Sequence, residues 1–139
     1  MTDRPKRFQQ HTSWDELTAV VLSNGTRAAK FAISADQDDE TAPVVFRVEY
    51  PAGCVTAPHT HDTDYCEIIL EGRLQVTRRW HETGDVRIVQ ANTAYGPLVA
   101  GDEGCTVLSI FRDGRWPAVP LADGNDEGLN VDVLFEGVD

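Results

Sequence analysis

The chain has 139 residues, of which 41% are hydrophobic and 25% are charged, a composition that argues against a mostly disordered protein. A chain of this length is expected to form one domain with its own core. The formal net charge of −11 predicts repulsion from phosphate backbones, and hence no nucleic-acid partner. No run of about 18 apolar residues occurs, and residues 1–10 do not resemble a secretory signal. We therefore expect no membrane partner and a cytoplasmic location.

The three cysteines are widely spaced, and none belongs to a C-x-x-C pair. They are Cys54, Cys66 and Cys105. An odd number at such spacing predicts neither a disulfide framework nor a structural zinc site. Free thiols fit a reducing compartment, in agreement with a cytoplasmic protein.

The chain has the pattern of short β-strands separated by turns. Asn24-Gly25 lies between two apolar segments and predicts a β-hairpin. Alternation of apolar and polar residues, or a short apolar run, predicts strands at 44–50, 73–79, 85–90, 105–111 and 129–135. Many short strands with almost no helix predict an all-β sandwich or barrel.

Two of these segments carry expectations about burial. In 85–90, Val86 and Ile88 share one face and Arg87 lies on the other, which predicts a half-buried strand with its apolar face toward the core. Segment 105–111 is a continuous apolar run, CTVLSIF, as is typical of a strand covered on both faces.

The segment with the clearest chemistry is 53–72, GCVTAPHTHDTDYCEIILEG. His59 and His61 are two residues apart, so on an extended strand both imidazoles point the same way. Such a pair can hold a divalent first-row metal ion. Asp64 and Glu67 follow closely as possible oxygen ligands. The alternative is a surface H-x-H pair that binds nothing.

Two segments resemble the motifs of the cupin superfamily. The first motif is matched in type and spacing by Gly53, His59, His61 and Gly72. The second is resembled by residues 84–97, GDVRIVQANTAYGP. The resemblance spans residues 53–100. It implies an all-β fold, the double-stranded β-helix or jelly-roll barrel, with a metal ion inside.

The sequence departs from the family at two ligand positions. Counted back from Gly72, the family's glutamate position falls on Tyr65, and counted from Gly84, its third histidine falls on Tyr95. Glu67 shares a strand face with Tyr65 and should point into the barrel, one step further along. Asp64 should point outward unless the preceding turn directs it inward.

Three interpretations of the metal site remain open. In the first, His59 and His61 form a two-histidine, one-carboxylate set with Glu67 or Asp64, which suits Fe(II) and also Mn, Ni or Zn. Tyr95 would then be a general acid–base. In the second, Tyr95 is itself a ligand, as a phenolate. In the third, no metal is bound, because missing ligands weaken affinity.

The resemblance implies a metal-dependent enzyme acting on a small organic substrate in the barrel. The first expectation is a dioxygenase of a carbonyl or dicarbonyl compound. The alternative is a metal-dependent lyase, isomerase or cyclase in which Tyr95 or Glu67 transfers the proton. A non-enzymatic cupin that binds or senses a small ligand is the other class. Of the two enzymes, only the dioxygenase consumes O₂.

We expect one cupin domain over residues 1–139. Its motif-bearing core should lie at about 44–112, between an N-terminal arm (1–16) and an acidic C-terminal arm (113–139). The alternating segment 129–135 could pair with a second copy and cover an exposed strand edge, so a homodimer is expected.

Overall fold

Ten β-strands and one short 3₁₀ helix (Trp14–Glu16) form the secondary structure of residues 9–121, the part of the chain described by the computed structural model. The strands are β1 (Val20–Val21), β2 (Arg27–Ala32), β3 (Val44–Tyr50), β4 (Val55–Thr56), β5 (His59–His61), β6 (Tyr65–Val76), β7 (Arg79–Glu82), β8 (Val86–Val89), β9 (Leu98–Phe111) and β10 (Ala118–Pro120). Within this part of the chain, no helix has the length and apolar character needed to cross a membrane.

One antiparallel sheet of eight strands makes up most of the barrel. Its main path runs β1-β2-β3-β9-β6-β7, while β4 pairs with β9 and β8 pairs with β6. Strands β5 and β10 form a second, two-stranded antiparallel sheet. The hairpin predicted at Asn24-Gly25 is present between β1 and β2. The all-β prediction is therefore confirmed.

The predicted strand segments agree with the structure to different degrees. Segment 44–50 is β3, and 85–90 and 105–111 contain β8 and the end of β9. Segment 73–79 contains the end of β6, but it also includes the turn to β7, where Thr77 has a φ of 61°. Segment 129–135 lies outside the described residues.

The two long strands β6 and β9 form the centre of the sheet. They pair from Tyr65 opposite Phe111 to Val76 opposite Leu98. Leu74 and Val107 lie on their inner faces and are completely buried. The rings of Tyr65 and Phe111 stack with centroids 4.6 Å apart. The inner faces of these strands are therefore the rigid surface against which the site is built.

Strand β8 has the opposite orientation to the one that its apolar pattern predicts. Val86 and Ile88 are 58% and 83% exposed, whereas Arg87 is half-buried and points inward. The pairing explains this, because Arg87 lies opposite Glu67 on β6 and directly opposed residues share a face. The charge of Glu67, which is only 4% exposed, compensates that of Arg87 inside the barrel.

Candidate functional site

His59 and His61 lie on β5 at one end of the barrel, and both side chains line the same cavity. Strand β10 pairs with one edge of β5, and Tyr95 forms a backbone bridge to His59 on the other. The two imidazole rings have centroids 5.0 Å apart. The sequence expectation that both rings face one region is therefore met.

The hydroxyl group of Tyr95 lies between the two histidines. Its oxygen is 3.0 Å from Nε2 of His59 and 3.0 Å from Nε2 of His61. The cupin spacing placed Tyr95 at the position of the family's third histidine, and the structure brings its oxygen to the point that both imidazoles face.

Backbone carbonyl groups determine which imidazole nitrogens carry protons. Nδ1 of His59 donates to the carbonyl of Ala57 at 2.8 Å, and Nδ1 of His61 donates to that of Trp116 at 2.6 Å. Because a carbonyl oxygen only accepts, each Nδ1 carries a hydrogen and each neutral Nε2 presents a lone pair. The single hydroxyl proton of Tyr95 can satisfy only one of these lone pairs.

Burial keeps all three groups uncharged. It lowers the pKa of His59, and burial together with neighbouring His59 lowers the pKa of His61 to about 3. Burial also raises the pKa of Tyr95 well above its usual value. At neutral pH the metal-free site therefore has two neutral imidazoles and one neutral phenol, whose hydroxyl group faces two Nε2 acceptors.

This donor set fits a divalent cation. One phenol oxygen and two neutral imidazole nitrogens, each 3.0 Å from that oxygen, would supply three donors to such an ion. Imidazole nitrogen suits Zn, Cu, Fe and Ni. A cation would also satisfy the lone pair that the hydroxyl proton leaves without a partner.

Glu67 points into the barrel, as strand alternation predicts, but its carboxylate is engaged by Arg87. Nη2 and Nε of Arg87 lie 2.9 and 3.2 Å from the same oxygen, Oε1. The guanidinium carbon lies 4.6 Å from the ring centre of Tyr95, and Nη2 lies 3.4 Å from the hydroxyl of Tyr65. Glu67 thus lines the cavity as half of a buried ion pair.

Asp64 lies away from the histidines. One carboxylate oxygen accepts the backbone N–H of Ala91 at 2.8 Å, and the other lies 2.9 Å from Nη1 of Arg112. Its side chain is 44% exposed. These contacts tie the ends of two loops together at the barrel surface.

The predicted two-histidine, one-carboxylate set is not assembled. Among residues 9–121, no three His, Cys, Asp or Glu side chains are grouped so that they could hold a metal ion. Glu67 and Asp64 are instead paired with Arg87 and Arg112. The side chain grouped with the two histidines is instead that of Tyr95.

The cavity beside these groups is small and has aromatic walls. Its volume is about 80 Å³, enough for several water molecules or a few atoms of an organic molecule. Its aromatic walls, apart from the two imidazoles, are Phe46, Tyr50, Tyr65, Tyr95, Phe111 and Trp116. The remaining polar groups of the lining include Glu67 and Ser109. A substrate would meet an apolar enclosure with few polar groups, as is usual for small-molecule sites.

Two parts of the site could not be found in the sequence. The alternation in β8 predicts an outward-facing Arg87, and only its pairing with Glu67 reveals the inward orientation. Trp116 contributes through its backbone carbonyl, which has no sequence signature. Its ring also packs edge-on against Phe46 at 5.0 Å, so the segment before β10 belongs to the site.

No protein-family model matches the sequence, and no curated protein matches it at a significant level. Its structure is similar to that of the polyketide cyclase RemF from Streptomyces resistomycificus, with a TM-score of 0.69 and 17% identity over 86% of this chain and 89% of that one. KdgF from Halomonas sp. gives a TM-score of 0.62 and 19% identity, with 84% and 98% covered.

Oxalate decarboxylase from Bacillus subtilis gives a TM-score of 0.64 and 15% identity. The match covers 81% of this chain but only 31% of that longer one. At these identities the similarity establishes the fold alone. The chain has the cupin fold, which confirms the jelly-roll barrel implied by its two motifs.

Proposed function

We propose that the protein is an enzyme that transfers a proton on a small organic carbonyl compound, as an isomerase, lyase or cyclase. His59, His61 and Tyr95 would hold a divalent metal ion. The observation that carries the proposal is the placement of one phenol oxygen 3.0 Å from two Nε2 lone pairs at the wall of the cavity. When bound, the metal supplies Lewis acidity that polarises a carbonyl oxygen.

Glu67 is the group that accepts the proton. Both hydrogen bonds from Arg87 reach Oε1, which leaves Oε2 outside that ion pair. Oε2 is therefore the oxygen available to a substrate in the cavity that Glu67 lines. Arg87 holds the carboxylate in place and balances its charge.

The aromatic walls place the reacting atoms in an apolar enclosure, and its volume of about 80 Å³ suits a small substrate. Glu67 as the proton acceptor and a metal ion as the Lewis acid serve proton transfer more directly than oxidation. We therefore place proton transfer ahead of the dioxygenase, which remains a prediction requiring O₂ and a redox-active metal. A non-enzymatic ligand-binding role makes no use of Glu67 as a base.

The first experiment is elemental analysis of the untagged protein beside the His59→Ala/His61→Ala variant, before and after incubation with Fe(II), Mn(II), Ni(II) or Zn(II). We expect near-stoichiometric metal that the variant lacks. Absence of metal from the wild-type protein after every incubation contradicts the proposal.

The second experiment follows hydrogen–deuterium exchange at the α carbon of small ketones and aldehydes by NMR in D₂O. Glu67→Gln should keep the metal but slow exchange by about 10²-fold or more. Glu71→Gln, which changes an exposed glutamate on the same strand, is the matched control. Consumption of O₂ without α exchange would establish the dioxygenase instead.

A further inference from the structure

Ser109 lies directly opposite Glu67 inside the barrel. The pairing of β6 with β9 sets these two residues opposite each other, and the pairing of β6 with β8 sets Arg87 opposite Glu67 on the other edge. Directly opposed residues share one face of a sheet, so Ser109 is on the inner face with Glu67. Both residues line the cavity. The proposed base therefore has a serine beside it, on the side away from its ion pair.

A hydroxyl group is unexpected at this position of the core. The neighbours of Ser109 on the inner face of β9 are Val107 and Phe111, and the residue opposite it on β3 is Phe46. All three are buried. Burying a hydroxyl group among apolar side chains is unfavourable unless it forms a hydrogen bond, so an apolar residue would serve packing better here. A polar group that Ser109 meets in the cavity explains the serine better than packing does.

Burial restricts what the hydroxyl group of Ser109 can reach. The residue is only 5% exposed, so this group meets the cavity and its walls rather than bulk solvent. A serine side chain is also short, so it leaves room in the cavity beside Glu67, whose Oε2 is outside the ion pair with Arg87. Because a serine hydroxyl both donates and accepts, it can bind a hydroxyl group of a substrate that occupies this room.

The spacing of Ser109 and Glu67 limits where that hydroxyl group stands on the substrate. Directly opposed residues have Cβ atoms about 5 Å apart. The carbon that gives its proton to Glu67 and the oxygen that Ser109 binds are therefore close neighbours in a small molecule. A hydroxyl group on that same carbon meets this requirement. Since the carbon next to a carbonyl group is the one that loses the proton, the oxygen belongs to an α-hydroxyl group.

We infer that the substrate is a small α-hydroxy ketone or α-hydroxy aldehyde, and that Ser109 is the specificity-determining residue that binds its α-hydroxyl group. The inference rests on the proposed proton transfer to Glu67. In that step the C–H bond at the α carbon breaks, and the proton passes to Oε2. The electron pair of this bond forms the carbon–carbon double bond of an enediolate, whose charge is on the former carbonyl oxygen. Ser109 holds the α-hydroxyl group so that the C–H bond stays directed at the carboxylate.

Hydroxyacetone and butanone are matched probes, because they differ only by a hydroxyl group in place of a methyl group. The measurement is hydrogen–deuterium exchange at the methylene carbon next to the carbonyl, by NMR in D₂O with the metal-loaded protein. Each rate is divided by the rate without protein. Ser109→Ala should lower kcat/KM for hydroxyacetone by about 10-fold, the usual effect of losing one hydrogen bond to a substrate hydroxyl, and should change that for butanone by less than about two-fold.

Thr106→Val is the matched control, because it removes a hydroxyl group from the opposite face of the same strand, where Thr106 lies opposite Glu49. It should leave both rates unchanged. Equal losses for the two compounds in Ser109→Ala, or no loss for either, overturn the inference while the proposed proton transfer stands. If the wild-type protein exchanges neither these compounds nor other small ketones and aldehydes, the proposed function fails, and the inference fails with it.

Discussion

The phenol oxygen of Tyr95 lies 3.0 Å from Nε2 of His61, whose Nδ1 is engaged by the carbonyl of Trp116. The lone pair of His61 is therefore directed at an oxygen that can donate one proton and no more. His59 makes the same demand on that oxygen. A bound metal ion, or a substitution at Tyr95, should therefore change the contacts of both histidines at once.

The third metal ligand can be identified by a series of three variants. Tyr95→Phe should weaken metal affinity by at least about 10-fold, because it removes the oxygen shared by both histidines. Asp64→Asn should leave the affinity unchanged, since Asp64 contacts Ala91 and Arg112 instead. Competition with a chromogenic chelator measures the metal affinity of each variant. A larger loss of metal affinity in Asp64→Asn or Glu67→Gln than in Tyr95→Phe would identify a carboxylate as the third ligand instead.

Removing one partner of the Arg87–Glu67 pair should be strongly destabilising because the pair is buried. Its side chains are 14% and 5% exposed. Arg87→Met leaves a buried carboxylate without its partner and should cost about 3–5 kcal/mol of unfolding free energy in urea. Adding Glu67→Gln to Arg87→Met should recover more than half of that loss.

A surface pair provides the control for this experiment. Arg73 and Glu82 lie 3.3 Å apart with side chains 46% and 60% exposed. Arg73→Met should cost no more than about 1 kcal/mol. Equal losses of unfolding free energy in Arg73→Met and Arg87→Met would show that the contribution of the inner pair to stability does not depend on its burial.

The metal-free protein should lose stability in mild acid because His61 is buried in its neutral form. The folded-state pKa is about 3, against 6.5 for a free histidine. Between these values the unfolded chain binds more protons than the folded one, so the unfolding free energy rises with pH in this window. It should fall as the pH is lowered from 6.5 toward 3.

Denaturation in the presence of a chelator, at several pH values, measures this dependence. In His61→Gln the unfolding free energy should change less steeply with pH between pH 6.5 and pH 3 than it does in the wild-type protein. An unchanged slope would mean that His61 is not responsible for the loss. Burial lowers the pKa of His59 in the same direction, so some slope should remain.

Two motif glycines should differ in their tolerance of alanine. Gly72 and Gly53 both have positive φ, 76° and 68°. A Cβ at Gly72 would collide with the backbone carbonyl of Gly104, whereas a Cβ at Gly53 would meet open space. Gly53→Ala should cost about 1–2 kcal/mol from backbone strain. Gly72→Ala should cost at least about 1–3 kcal/mol more, because the β6–β9 contact must move.

Urea denaturation of the two variants compares these costs directly. Equal losses of unfolding free energy would indicate that the backbone of β9 at Gly104 moves aside without penalty. The comparison tests why the cupin motif closes with glycine at position 72, where the resemblance first placed it.

Some features followed from the sequence alone because they depend on local chemistry. Strand β3 and the Asn24-Gly25 hairpin follow from alternation and turn preference. The convergence of His59 and His61 follows from the two-residue period of a strand. The spacing of the cupin motifs identified Tyr95 as the residue that stands at the third-histidine position.

Other features were decided only by strand pairing in three dimensions. Period-two alternation defines two faces of β8 but does not say which one is inside. The pairing of Arg87 with Glu67 turned the charged face inward and left Val86 and Ile88 outside. The same pairing engages the carboxylate of Glu67 with Arg87. The contacts of Tyr95 with both histidines join residues distant in the sequence, which local patterns do not encode.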